Sequence, residues 1–450
     1  MDTGSALTLG IARHVSAARF DDLPEAVRRH ALNCFLNFVG CAAGGSRNEA
    51  VEAAERALAV PGDRSAASVI GRSTATHPQL SALLNCIAAS VYAFDDTHAE
   101  AMVHPSSIVG SALIGLAGAE PAVRGEPLLL AFTWGVEMMC RLSKALSVPP
   151  AKSDIGWSQS GVTGAIGSAL ACGKLLGFSA EQLANAMGIA ASTAGGLRAG
   201  HGSMTMHLVP SQGAALGVQA ALLARAGFTG PASVLETRYG FLKLFAQSAH
   251  AESLTQGLGT HFEIMANVFK AYPCGIVMHS AIDACMQLAP QLTPGATIER
   301  IEAHVASATV ALTDKPRPAG EFEAQVSLQH WAAAVLLQGE AGVEQGTQAT
   351  IDNPDVRSLS DRCRVIEVPG MPGGAAEVRL WLTDGRTLAC RVDHCRGSLA
   401  NPLDDAALDQ KFLAQAGRAL GPQRARRLLE QCRALPGLPD VAVLWNDELD

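Results

Sequence analysis

The segment Asp95-Asp96-Thr97-His98, followed by His104, places two carboxylates, one hydroxyl and two imidazoles close together in the sequence. The flanking sequence is apolar, and burying such polar groups costs free energy unless they are paired. His98 and His104 are suited to acid and base catalysis near neutral pH, and a carboxylate can fix the tautomer of an imidazole. The same residue types also cap helices, so a structural interpretation stands beside the catalytic one. A metal site is a weaker alternative because the spacing matches no standard motif.

A second group of reactive side chains runs from Lys270 to Gly275 and is followed by His279. Lys270 precedes a turn at the suspected junction of two domains, where an ammonium group can bind a carboxylate or donate a proton. A solvated surface lysine is the alternative. Cys274 is a candidate nucleophile, but an activated thiolate needs a nearby base, and only His279 is close in sequence. A structural role is therefore favoured for Cys274.

Two glycine-containing segments are candidates, one for anion binding and one for hydrolysis. The run from Gly195 to Ser203 exposes backbone amides and can cradle an anion together with Arg198, although a loop joining two helices has the same composition. Its spacing matches neither a P-loop nor a dinucleotide-binding motif, so no nucleotide cofactor is expected. The segment around Ser158 differs by one residue from a Gly-x-Ser-x-Gly elbow and follows no convincing strand, which disfavours a serine hydrolase.

The composition indicates a cytoplasmic protein of two domains. A chain of 450 residues exceeds the usual size of one hydrophobic core. Its 48% hydrophobic and 5% aromatic residues favour closely packed helices. The net charge is -8 and the sequence has no cluster of basic residues, so we expect no nucleic-acid partner. The sequence predicts neither a signal peptide nor a membrane span. The eleven cysteines form no Cys-x-x-Cys pair, and most are predicted to be buried thiols.

Residues 1–266 are predicted to form a helical domain. Apolar residues recur at helical spacing from Val27 to Ala42, directly after a proline and an acid that suit a helix start. The segment Ser179 to Gln182 has the pattern of a capping box ahead of further apolar residues. Another helix is predicted from Gln212 to Ala226, with Gly227 at its end.

Residues 267–396 are predicted to form a smaller α+β lid domain. Apolar residues alternate from Ile301 to Val305, and two further alternating runs surround the turn Asp384-Gly385, as in a hairpin. The segment from Ala324 to Leu337 has a helical pattern. Residues 397–450 return to helical patterns and are predicted to complete the first domain. The predicted fold class is therefore mainly α with an inserted α+β domain.

Several blocks of sequence follow one another over nearly the whole chain in a pattern shared with a known family. They are Phe94-Asp95-Asp96-Thr97, His104-Pro105-Ser106, Gly173-Lys174-Leu175-Leu176-Gly177, Ala224-Arg225-Ala226-Gly227-Phe228-Thr229-Gly230, Lys270-Ala271-Tyr272-Pro273-Cys274-Gly275 with His279, Glu323-Ala324-Gln325-Val326-Ser327-Leu328, and Asn401-Pro402-Leu403 with Lys411-Phe412. Together they resemble the MmgE/PrpD family, which includes 2-methylcitrate dehydratase, cis-aconitate decarboxylase and iminodisuccinate epimerase. The resemblance implies an active site in the cleft between a helical domain and an α+β lid, and a homodimer without cofactor.

The chain departs from the family pattern at substrate-side positions. Ala93 stands where acting members often have an acid, and Ser158 stands where the family tends to have a histidine. The family block Gly-Thr-x-x-Lys-x-x-His has Met206 at its lysine position and Val209 at its histidine position, with His207 shifted from both. Each lost charge-assisted contact weakens tricarboxylate binding by about 1.5–3 kcal/mol. Decarboxylation of the itaconate type is therefore disfavoured.

The leading hypothesis is a cofactor-independent hydro-lyase that removes a proton beside a carboxylate of a small hydroxy-polycarboxylate, in the manner of 2-methylcitrate dehydratase. His104 is the general base or acid, and Lys270 binds the substrate carboxylate and stabilises the developing charge. Thr97 and Asp96 position His104 or the substrate. The candidate substrate-binding residues are Arg198 and His207, as replacements for the missing cations, together with His279 and Ser158. The alternatives are an isomerase or epimerase of a substituted dicarboxylate, as in iminodisuccinate epimerase, and a non-catalytic dimeric family member.

Overall fold

The computed structural model describes residues 7–60, 63, 65–101, 103–146, 156–246, 250–293 and 295–445. Its α-helices, α1 to α18 in chain order, are Leu7–Ala17, Glu25–Gly45, Glu49–Leu58, Pro78–Ser90, Pro105–Ala117, Gly125–Ala145, Gln159–Leu175, Ala180–Thr193, Thr205–Arg225, Phe241–Phe245, His279–Leu288, Ser307–Thr313, Glu321–Ala324, Leu328–Gln338, Gln348–Ile351, Pro354–Ser360, Asp405–Leu420 and Pro422–Arg433. Its strands, β1 to β8, are Ala67–Ser68, Ala75–Thr76, Thr97–His98, Asn267–Val268, Ile298–Val305, Cys363–Glu367, Ala376–Leu382 and Thr387–Val392. The predicted fold class, mainly α with a small α+β part, is confirmed.

Small residues let the helices of the first half approach closely. Helix α2 begins after Pro24, and its apolar face, which includes Phe35, is fully buried. At the end of α2, a Cβ atom on Gly45 would lie 2.0 Å from the carbonyl oxygen of Ala88 in α4. Such an approach is open only to glycine. The close contact fixes α4, whose end carries part of the site described below.

The predicted capping box is confirmed, whereas the predicted start of α9 is wrong. The side chain of Ser179 accepts the backbone N–H of Gln182, and the Gln182 side chain accepts the backbone N–H of Ser179, at the start of α8. Helix α9 begins well before Gln212 and runs through Pro210. Its first turns bury His207 against the interior. Tertiary packing of these turns outweighs the unfavourable helix propensity of proline.

The second half contains a four-stranded sheet in the order β6-β5-β7-β8. Strand β5 runs parallel to β6 and antiparallel to β7, and β7 and β8 form the predicted hairpin around Asp384-Gly385. Helices α11 and α14 pack on this sheet. The helix predicted over Ala324 to Leu337 forms as α14 but begins later, at Leu328, and the short helix α13 ends at Ala324. The chain restarts because the Ser327 hydroxyl accepts the backbone N–H of His330 and caps α14.

The C-terminal helices pack on the helices of the first half. Asp404 caps α17, and α17 lies so close to α2 that a Cβ on Gly40 would be 2.7 Å from the Phe412 ring. Apolar residues of α17 and α18 share a core with the N-terminal helices, and a separate apolar core lies within residues 272–392. The boundaries 1–266, 267–396 and 397–450 stay a prediction.

The eleven cysteines are free thiols, and ten of them are buried, as predicted. In the part of the chain that the structure describes, no helix has the length and apolar character needed to cross a bilayer.

Candidate active site

A short antiparallel ladder joins the two segments that carry the candidate catalytic residues. Strand β3 pairs with β4, with Thr97 opposite Val268 and His98 opposite Asn267. The residues just before β3 and just after β4 are therefore neighbours, although more than a third of the chain separates them. The carboxylate that precedes β3 meets the lysine that follows β4.

Lys270 and Asp95 form a buried ion pair. Lys270 Nζ donates to Asp95 Oδ1 at 3.2 Å, and each side chain is only 3% exposed. The Ser107 hydroxyl donates to the other carboxylate oxygen at 3.0 Å. Burial acts to raise the pKa of Asp95, but electrostatic interactions with His104 and Lys270 and the Ser107 hydrogen bond outweigh it, so the pKa lies below its ordinary value. Asp95 is therefore ionised at neutral pH and holds the ammonium group in place.

His104 directly precedes α5 and presents one imidazole nitrogen as a base. Its Nδ1 lies 2.8 Å from the Asp96 carbonyl oxygen and 3.1 Å from Thr97 Oγ1. A carbonyl oxygen can only accept, so Nδ1 carries the proton. Burial and the nearby charge of Lys270 lower the pKa of His104, so the ring is neutral at pH 7. Its Nε2 therefore carries a lone pair, which is what a general base requires.

Asp96 and His98 are buried and do not line the cavity described below. The Asp96 carboxylate accepts from Asn267 Nδ2 at 2.9 Å and from the Ser106 hydroxyl, and burial raises its pKa to about 7. Asp96 thus contacts His104 through its backbone carbonyl. His98 Nδ1 accepts a backbone N–H at 3.0 Å, and its Nε2 donates to Glu263 at 3.2 Å. These bonds give His98 a structural role.

A cavity of about 270 Å³ opens beside His104 and Lys270. About nine water molecules occupy that volume in the liquid, so it holds a small carboxylic acid. The predicted residues Ser158 and Arg198 also line it. They lie on neighbouring segments, because the backbone N–H of Arg198 donates to the Gly156 carbonyl oxygen at 2.8 Å. The apolar part of the wall includes Ile108, Met206, Ile276, Val277, Leu312 and Val326.

Of the two other predicted histidines, the structure brings only His207 to the cavity. Its Nδ1 lies 3.1 Å from Ser90 Oγ, and burial lowers its pKa to about 4, so His207 is not the replacement cation that the sequence suggests. His279 is buried against the Tyr272 ring, with 5.1 Å between ring centroids, outside the cavity wall. Burial lowers its pKa to about 3. Burial also raises the pKa of the Cys274 thiol, which agrees with a structural role.

The sequence interpretation undervalues Asp95, which it treats as a supporting residue, and it misses Ser107 and Gln325 in the cavity wall. Gln325 lies within the family-like block Glu323 to Leu328, and this position could have marked it as a site residue. Ala93 also lines the cavity and has a φ of +48°, a left-handed conformation that is costly for a residue with a side chain. This strained turn directs the chain from α4 into the segment that carries Asp95.

Among the described residues, no three His, Cys, Asp or Glu side chains are grouped so as to hold a metal ion.

Comparison with known proteins identifies the family. The model of the MmgE/PrpD N-terminal domain matches residues 10–254, and that of the MmgE/PrpD C-terminal domain matches residues 272–435. The chain belongs to the MmgE/PrpD family. Its relatives include the cis-aconitate decarboxylase of Homo sapiens, which is 28% identical over 459 residues covering 98% of this chain and 94% of that protein. The cis-aconitate decarboxylase of Aspergillus terreus is 27% identical over 471 residues, covering 98% of this chain and 95% of that protein.

Proposed function

We propose that this MmgE/PrpD protein is a cofactor-independent lyase that acts on a small polycarboxylate, and that it eliminates water from a hydroxy acid. The observation that carries the proposal is the pairing of a neutral His104, whose Nε2 is unprotonated, with the buried Lys270 ammonium beside one cavity. A base and a fixed positive charge are what proton removal next to a carboxylate needs. The lyase relatives support the reaction class.

The chemical step uses the two groups in sequence. His104 Nε2 takes the proton from the carbon beside the bound carboxylate, and the electron pair of the broken C–H bond moves into that carboxylate. Lys270 Nζ stabilises the resulting enolate-like charge. The electron pair then forms a carbon–carbon double bond while the C–O bond to the hydroxyl breaks. The leaving hydroxide takes the proton held by His104 and departs as water.

Decarboxylation is the second candidate, because the curated relatives carry that name. In that reaction a carbon–carbon bond breaks, CO₂ leaves, and His104 in its protonated form returns a proton to the carbanion. Met206 argues against a tricarboxylate substrate for either reaction, since an apolar side chain lines the cavity at the position where the family block has a lysine. A substrate with several carboxylates therefore finds fewer cations here. A third candidate is an epimerase, in which the carbanion is reprotonated on its other face. We also propose that the protein is a homodimer.

The test is turnover in deuterium oxide with citrate, 2-methylcitrate, malate and cis-aconitate, followed by proton NMR and by CO₂ release. We expect an alkene from a hydroxy acid without CO₂. The His104→Ala variant should lose about 100-fold to 10,000-fold in kcat, whereas His394→Asn, which changes an exposed histidine, should match the wild type. CO₂ from cis-aconitate would favour the second candidate, and deuterium entry with inversion would favour the epimerase. Unchanged turnover in His104→Ala would overturn the assigned role.

A further inference from the structure

Two buried side chains in the cavity wall each keep one polar atom without a hydrogen-bond partner among the described residues. These atoms are His207 Nε2 and Gln325 Oε1, and their side chains belong to residues that are 3% and 6% exposed. Buried polar atoms are satisfied in nearly all proteins, so a pair of exceptions in one cavity wall points to a ligand. Neither atom has a part in the proton transfer proposed above.

The opposite end of each side chain is anchored at the end of α4. His207 Nδ1 lies 3.1 Å from Ser90 Oγ, and Gln325 Nε2 donates to the Val91 carbonyl oxygen at 2.6 Å. The two anchors are consecutive residues, so both side chains are bound to the same end of α4. The backbone of Gln325 is also held, because the Gly275 N–H donates to its carbonyl oxygen at 2.8 Å.

The anchors also determine that both atoms are acceptors. The Ser90 hydroxyl lies 3.0 Å and 3.2 Å from two backbone carbonyl oxygens of α4, to which it can only donate. It therefore accepts from His207 Nδ1–H, which leaves a lone pair on His207 Nε2. The Gln325 amide nitrogen is bound to a carbonyl oxygen, so the atom of this cavity-wall side chain that stays without a partner is its oxygen, which can only accept. Burial keeps the His207 ring neutral by lowering its pKa to about 4.

We propose that His207 and Gln325 form an acceptor subsite that binds a hydrogen-bond donor on the substrate, namely a hydroxyl or an amine next to the reacting carbon. This inference rests on the proposed function and specifies its substrate class. A carboxylic acid without such a donor leaves two buried acceptors unpaired, and sites built to bind a donor reject analogues that lack it. The subsite therefore selects hydroxy or amino acids over their saturated or unsaturated counterparts.

The test measures Kd by calorimetry for matched acids: malate and aspartate against succinate, and citrate against tricarballylate. The wild type should bind the hydroxy acid of a pair, or aspartate, at least tenfold more tightly than the acid without the donor. In His207→Phe, which retains a ring beside Phe322, and in Gln325→Met, this ratio should fall towards one. The affinity for succinate and tricarballylate should stay unchanged in both variants. Tighter binding of malate than of aspartate would identify the donor as a hydroxyl, and tighter binding of aspartate would identify it as an amine.

Three outcomes would overturn the subsite: a wild-type ratio near one, absence of binding by every acid, or equal weakening of both acids of a pair in His207→Phe. The last result would mean that Nε2 carries the proton and binds a carboxylate. His394→Asn serves as the matched control for loss of an imidazole. The proposed function is tested separately: His104→Ala should lower kcat by about 100-fold to 10,000-fold while preserving the affinity ratio. Unchanged turnover with the ratio preserved would refute the role of His104 and leave the subsite standing. Because the ratio is measured within each protein, a partial loss of folded protein does not change it.

Discussion

Lys411 links the C-terminal helix α17 to the catalytic segment. Its Nζ donates to the Phe94 carbonyl oxygen at 2.7 Å and lies 4.1 Å from the centre of the Phe94 ring. Burial lowers the pKa of Lys411 from 10.5 to about 8. The substitution Lys411→Met keeps an unbranched side chain but removes the titrating group. We predict that it changes how the free energy of unfolding depends on pH.

The sign follows from where the proton is bound. Between about pH 8 and pH 10.5 the unfolded chain keeps the Lys411 proton that the folded protein releases, so wild-type stability rises with pH in this window. These two pKa values correspond to a penalty of about 3 kcal/mol near pH 7 and about 1 kcal/mol near pH 9.5. Lys411 alone therefore gives the wild type a gain of about 2 kcal/mol over this range, and Lys411→Met lacks that gain.

Urea unfolding at about pH 7 and about pH 9.5, followed by circular dichroism, measures the effect. The quantity compared is the difference in free energy of unfolding between Lys411→Met and wild type at each pH, because titration of all other groups cancels in it. Lys243→Met, which removes an exposed lysine, is the control and should show no change with pH. If the difference for Lys411→Met is the same at both pH values, Lys411 is not a desolvated amine and the reasoning is refuted.

Three further predictions concern the site and its packing. Because burial raises the pKa of Asp96 to about 7, the free energy of unfolding of the wild type should fall by about 3 kcal/mol from about pH 5 to pH 8 relative to Asp96→Asn, as urea unfolding would show. Gly45→Ala should destabilise the protein by about 3 kcal/mol because its Cβ meets a carbonyl oxygen of α4, whereas Gly10→Ala, with open space around it, should stabilise it by up to about 1 kcal/mol in the same assay. Thr97→Val removes the oxygen 3.1 Å from His104 Nδ1 and should lower kcat by up to about tenfold, with Thr97→Ser close to wild type.

The parts of the fold that local sequence determines were predictable. The capping box at Ser179 and the hairpin at Asp384-Gly385 depend on neighbouring residues, and both form as expected. The start of α9 was not predictable, because long-range packing determines it. The break before α14 was not predictable either, because it depends on the cap that Ser327 forms. The periodicity of apolar residues alone predicted a mainly α fold class, and the resemblance to the MmgE/PrpD family added the arrangement of a helical domain and an α+β lid.

The site was harder to predict because its contacts are distant in sequence. Strands β3 and β4 have two residues each, which is too short for an alternating pattern, yet their pairing brings Lys270 to Asp95. The family resemblance also assigns His279 to substrate binding. The structure places the His279 ring against Tyr272, because α11 begins at His279 and packs its first turn into the apolar core within residues 272–392.

The substitutions around α9 act together on the charge of the cavity. Met206 places an apolar side chain at the family's lysine position, and His207 is neutral because it is buried. Lys270 is already paired with the ionised Asp95, so its attraction for a further anion is smaller than that of an isolated ammonium group. A cavity with less positive charge and two buried acceptors suits a substrate with fewer carboxylates and a hydrogen-bond donor. The two proposals above therefore favour a hydroxy acid, which carries a hydrogen-bond donor, over an unsaturated tricarboxylate, which carries none.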